Sequence, residues 1–67
     1  MISITLNGES KQVDDSSTVE ALLKTLDLDE IRLAVEINLE IIPRSSYGSH
    51  RLNDLDKVEI VRAIGGG

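Results

Sequence analysis

Cysteine is absent from the 67 residues of this chain. That removes disulfide staples, thiol nucleophiles and thiolate metal sites together. Any redox or sulfur chemistry must therefore use another atom. Aromatics are nearly missing as well: Tyr47 stands alone, with no Phe or Trp. The apolar set is almost wholly aliphatic, with eight Ile, nine Leu, five Val and three Ala. A chain this short makes one domain at most, in a size range where only about 60% of the unfolded surface is buried. It can close an aliphatic core, but a ligand pocket walled on all sides by this chain alone is not expected. Basic residues are scarce too, seven against twelve acids, for a formal net charge of -5. That balance argues against nucleic acid as a partner, because phosphate neutralisation needs clustered Lys and Arg. It favours solubility and attraction to a basic protein surface. No apolar run approaches the roughly 20 residues that span a bilayer, and Met1 opens directly into a strand-like pattern. The expectation is a cytoplasmic chain with no signal peptide and no membrane association.

What is present is periodic. "MISITL" alternates, with Ile2, Ile4 and Leu6 on one face and Ser3 and Thr5 on the other, the pattern of a half-buried strand. Asn7-Gly8 follows as a hairpin signal, since both residues tolerate the positive φ of a type I′ turn. A short, polar return strand through Lys11 to Val13 suits a sheet edge. The period then changes. Val19, Leu22, Leu23 and Leu26 form one apolar stripe of an amphipathic helix of about ten residues. Ser17 and Glu20 have capping-box spacing, and Asp14 and Asp15 lie near the positive end of the helix dipole. Alternation returns with Leu33, Val35 and Ile37 against Ala34, Glu36 and Asn38. A turn over Asn38–Glu40 leads to a brief strand at Ile41-Ile42, stopped by Pro43. A polar stretch with Tyr47 tucked over the core edge precedes the last strand, Val58 to about Ala63. One helix across several strands implies an α+β mixed sheet of four to five strands, with the helix packed on one face. The predicted core is Ile2, Ile4, Leu6, Val19, Leu22, Leu23, Leu26, Leu33, Val35, Ile37, Val58 and Ile60.

Conventional catalytic sets do not assemble from these residues. His50 is the only histidine, and nothing in the spacing of Ser and Asp supports a triad around it. Asp14-Asp15 and Asp27-Asp29-Glu30 lack a calcium-loop pattern with its central glycine, and solvation of helix ends explains them. The last strand leaves two registers open. In one, Glu59, Val61 and Ala63 share the open face with Ala34 and form an aliphatic docking patch. In the other, a bulge after Ile60 swaps those side chains between faces.

The chain closes on "VRAIGGG". Three glycines lose the most entropy on folding and pack nothing, so they are not there for stability. Gly65, Gly66 and Gly67 can reach about 10 Å past an anchor at Ile64, thin enough for a narrow channel. They carry an α-carboxylate, ionised at neutral pH because its usual pKa is near 3.5. A carboxylate is a competent nucleophile toward a nucleotide's α-phosphate. A frayed end is the other reading of such a tail.

The Asn-Gly hairpin, the capped helix, "AVEINLEIIPR" in mid-chain and "DKVEIVRAIGGG" at the end together resemble the ThiS family of sulfur carriers, over the whole chain. The resemblance implies a ubiquitin-like β-grasp fold over residues 1–64 with a flexible glycine tail over 65–67. It implies a protein substrate and sulfur donor, not an enzyme. Gly67 would be adenylated by a ThiF-like adenylyltransferase using ATP with Mg, the chain itself binding no cofactor and no metal. The carboxylate would become a thiocarboxylate with sulfur from a cysteine desulfurase, and a ThiG-like thiazole synthase would take that sulfur for thiamine. Gly65, Gly66, Ile64, Val61, Ala63, Ala34 and Glu59 would meet the partners, and the chain alone would be a monomer. A carrier for molybdopterin-type synthesis, a conjugated modifier and a passive interaction domain are the alternatives. One position departs from the family: the turn before the last strand usually reads Gly-Asp and here reads Leu55-Asp56.

Overall fold

The structure, a computed structural model, describes residues 1–27 and 33–62. Strands β1 (Ile2–Leu6) and β2 (Glu9–Val13) precede the helix α1 (Val19–Thr25). Strands β3 (Leu33–Ile37) and β4 (Glu40–Ile42), a 3₁₀ turn at Arg44–Ser46 and strand β5 (Lys57–Arg62) follow. The five strands form one sheet in the order β2-β1-β5-β3-β4. β5 runs parallel to β1 and antiparallel to β3, so the last strand lies in the middle, between two hairpins. This is the β-grasp arrangement that the resemblance implies.

Both hairpins close through two residues at positive φ, Asn7 and Gly8 at 49° and 86°, Asn38 and Leu39 at 52° and 71°. Those angles match the right-handed twist of the flanking strands. Asn-Gly announces the first turn. In the second, leucine stands where glycine is the usual choice.

The stripe on α1 packs as its spacing predicts. Val19, Leu22 and Leu23 are buried against Ile4, Val35, Ile37 and Val58, with Ile2, Leu6, Leu26, Leu33 and Ile60 half-buried around them. All twelve predicted core residues therefore lie in or against this cluster. It also takes in Val13, Ile42, Tyr47 and Leu52, which the periodicity of the strands does not flag. Tyr47 is a core residue, not a lid over its edge.

The helix start differs from the expected one. Its N-cap is Thr18, whose extended backbone (φ -102°, ψ 168°) precedes the first turn and whose Oγ1 accepts from Ala21 N at 3.1 Å. Ser17 instead donates its N–H to Asp14 O in the preceding turn and offers its carbonyl to Leu52 N. The reason is tertiary: Thr18 bridges to Arg51, which keeps it extended and delays the helix by one residue. The segment after Pro43 satisfies the remaining orphan donors of the helix. Val19 N donates to His50 O and Glu20 N to Tyr47 O, each at 3.0 Å. The helix is seven residues, shorter than expected, with Leu26 as C-cap and Asp27 leaving it at φ 56°.

Leu55 stands at φ 70°, 80% exposed, in the turn that feeds β5. The turn keeps the left-handed geometry that glycine would adopt freely, so leucine bears the strain while burying little. A left-handed non-glycine residue costs on the order of 1–2 kcal/mol, against about 0.5–1 kcal/mol of extra unfolded-state entropy for glycine. Leu55→Gly should therefore stabilise the domain and raise Tm by about 2–8 °C. A lower Tm on thermal melting would show that the leucine side chain contributes packing that offsets its backbone strain.

Candidate functional site

A sheet with one helix on one face leaves its other face to solvent. Strand alternation decides what stands there. β5 and β3 pair Ile37↔Val58, Glu36↔Glu59, Val35↔Ile60, Ala34↔Val61 and Leu33↔Arg62, an unbroken register with no bulge after Ile60. The open-face register is therefore the observed one. Val58 is buried and Ile60 half-buried on the helix side, while Val61 is 58% exposed on the other.

Three of the expected partner-facing residues come together here. Val61 lies directly across from Ala34, and Glu59 lies one rung back on the same face. Ala63, Ile64, Gly65, Gly66 and Gly67 lie outside the described residues. Two further residues join the patch. Ile41 on β4, 70% exposed, sits opposite Glu36. Ala34, Glu36, Ile41, Glu59 and Val61 line a shallow hollow of about 120 Å³, room for one aliphatic side chain. The signal for Ile41 was present in the sequence: two adjacent isoleucines in one strand must face opposite ways.

The electrostatics of this face run against its own stability. Glu36 and Glu59 are direct cross-strand partners, both half-buried, where like charges repel. The ion pairs among the described residues are elsewhere, Met1–Asp15 at 2.9 Å and Glu20–Lys24 at 3.8 Å. Lys57 shares the face by alternation, one rung before Glu59 at the start of β5. Two carboxylates beside exposed Val61 and Ile41 make a surface that complements a cation flanked by apolar groups.

Among the described residues the other candidates stay apart, and Asp29 and Glu30 lie outside those residues. His50 is half-buried, and its carbonyl caps the helix. The Asp15 carboxylate holds the Met1 ammonium and raises its pKa through that hydrogen bond and charge. Among the described residues no cluster of His, Cys, Asp and Glu is placed to hold a metal ion, and no helix is long and apolar enough to cross a membrane.

Comparison with known proteins places this geometry in context. The ThiS family model matches residues 4–67. A thiazole synthase of Paramagnetospirillum magneticum is 52% identical over 66 residues, covering 98% of this chain, which spans only 20% of that synthase. The sulfur carrier protein ThiS of Bacillus subtilis is 40% identical over 63 residues, covering 92% of this chain and 96% of that protein. The crystal structure of the thiamine biosynthesis protein ThiS from Geobacter metallireducens superposes with a TM-score of 0.85 at 32% identity, over 98% of this chain and 100% of the other.

The face itself generates a stability prediction. Glu36→Gln removes one of two facing carboxylates and keeps the side-chain size. It should stabilise the fold by about 0.3–0.5 kcal/mol at low salt, a gain that fades as screening shortens the Debye length to about 3 Å at 1 M. Urea melts at both salt concentrations check this. A loss of stability, or a gain indifferent to salt, would mean that the two glutamates do not repel in the fold.

Proposed function

The chain belongs to the ThiS family of ubiquitin-like β-grasp proteins, and we propose that it carries sulfur, as a C-terminal thiocarboxylate, to the thiazole of thiamine. The observation that carries this reading is that the family match runs through Gly67, beyond a strand that leaves Glu59 and Val61 on the open face of the sheet. The relatives' names support the destination, one being a sulfur carrier and another a thiazole synthase.

The chemistry follows from a carboxylate delivered on a thin tether. A Gly67 carboxylate oxygen attacks the α-phosphorus of ATP, which the adenylating partner holds with Mg, and pyrophosphate leaves. The resulting acyl adenylate is electrophilic at its carbonyl carbon. The terminal sulfur of a persulfide, formed when a desulfurase takes sulfur from cysteine, displaces AMP there to give an acyl persulfide. A second thiol cleaves its S–S bond, leaving the thiocarboxylate and a disulfide. The thiazole synthase then takes the sulfur. This chain supplies no catalytic side chain. It supplies a docking face, a fixed length and a reactive end. From Val61 to Gly67 the six-residue step spans at most about 20 Å. Docking at Ala34, Ile41 and Val61, with Glu36 and Glu59 facing a basic rim on the adenylating enzyme, sets where that end arrives. Gly65 and Gly66, which have no Cβ, would let the tail pass a narrow channel, and Ala63 and Ile64 would meet the partner at its mouth. We place the reaction in the cytoplasm, where ATP and cysteine are at hand, with a monomeric carrier.

Two sets of variants test the face and the tail separately. Val61→Asp should weaken binding to the adenylating enzyme at least tenfold, a loss of about 1.4 kcal/mol, while the melting curve moves by less than about 0.5 kcal/mol. Parallel losses of binding and stability would make Val61 a packing residue. Deleting Gly67 shortens the reach by about 3.5 Å, and misplacement by 1 Å can cost roughly a hundredfold in such chemistry. That deletion should abolish thiocarboxylate formation without altering folding. Gly66→Ala, which keeps length and carboxylate but adds a Cβ, should reduce it in part. Full sulfur loading of the chain lacking Gly67 would return the glycines to the status of a frayed end.

A further inference from the structure

Asn7 acts twice in this fold. Its φ of 49° serves the first hairpin turn, and its side chain reaches across to the last strand. The Asn7 backbone N–H donates to Val58 O at 2.9 Å. The side-chain Nδ2 donates to Ile60 O at 3.2 Å, and Ile60 N donates to Asn7 Oδ1 at 2.8 Å. β1 and β5 cease to be Cα partners at Leu6↔Val58, so the amide supplies one more rung after the β1 backbone has turned away. That rung falls between Glu59 and Val61, two of the β5 side chains on the open face. Only asparagine fits both tasks with ease. Glycine would accept the φ but has no amide, and aspartate lacks the donor.

We propose that Asn7 is a positioning residue for sulfur loading: by clamping Ile60 it keeps the end of β5 ordered through Arg62, so that Glu59 and Val61 are presented before docking. This rests on the reading of the tail and open face given above. Without the clamp, β3 alone holds Ile60 and the residues beyond it, and strand ends paired on one side open more readily. Order that must be created at the moment of docking weakens association. Once the complex has formed, the tail is threaded as before, so the chemical step keeps its rate.

The test compares Asn7→Gly with Asn38→Gly. Asn38 is the matching residue of the second hairpin, at φ 52°, and its amide engages Lys57 N and Asp56 Oδ1 at 2.9 and 3.0 Å, at the opposite end of β5. Both substitutions keep the turn and remove two side-chain bonds. With an ATP-dependent adenylating enzyme, measured by pyrophosphate release, Asn7→Gly should raise KM for the carrier about tenfold with kcat within about twofold, the pattern of lost uniform binding. Amide exchange at Ile60 should accelerate in the same variant. Asn38→Gly should lose comparable thermal stability and keep the parent KM. Asn7→Asp, which retains the acceptor, should fall between Asn7→Gly and the parent, and serves if the glycine variant fails to fold. Equal KM changes in the two glycine variants, or unaltered exchange at Ile60, would overturn the proposal. A parent chain that is not adenylated would count against the tail reading, and exchange at Ile60 would still decide what Asn7 holds.

Discussion

β5 is held from both sides by the amides of two hairpin asparagines, and the rest of the fold is arranged around that strand. Asn38 Oδ1 takes the N–H of Lys57 where β5 begins, and Asn7 pairs with both backbone groups of Ile60 near its end. Each asparagine also occupies the left-handed position that its own turn requires. One residue type thus shapes each hairpin and fastens it to the strand between them. β1 and β3 can only take their places if β5 is in register, and Val58 then meets the helix at the centre of the core. Asp56, the one buried charged residue among those described, extends the same stitching by accepting from Asn38 Nδ2 and Asn53 N.

A strand so placed has two free outputs, its open face and its end. The helix face closes the core in a domain where only about 60% of the unfolded surface is buried. The open face has no such duty, and its composition departs from what stability alone would select. Glu36 opposes Glu59, while Val61 and Ile41 stay largely exposed. In a domain of marginal stability such choices are tolerated where they serve recognition. Leu39 and Leu55, left-handed and 80% exposed, break local rules in the same way at the other end of β5.

Much of this was legible in the sequence because the signals are local. Period-two alternation marks β1 and β3, Asn-Gly marks the first hairpin, and the stripe from Val19 to Leu26 marks the helix face. What escaped is set by contacts distant in sequence. The N-cap fell on Thr18 and not Ser17 because Arg51 holds Thr18 extended. Leu52 and Tyr47 are core residues because a segment with no periodicity folds back under the helix start. The register of β5 was undecidable from alternation, since a one-residue slip reverses every face. The clamp of Asn7 on Ile60 joins residues 53 positions apart. For the site, Ala34, Glu59 and Val61 follow from strand alternation once the register is known. The role proposed for Gly67 rests on three glycines that stability cannot explain and on likeness to a family.

The central claim is that this chain's last carboxylate is where sulfur rides. Intact and C-terminal-peptide mass spectrometry tests it most directly, on the purified chain incubated with ATP, cysteine and an extract of its host. The account predicts exchange of one oxygen for sulfur, confined to Gly67 and dependent on ATP. Gly67 joined to lysines of other proteins, or a mass that ATP and cysteine leave unchanged, would contradict it.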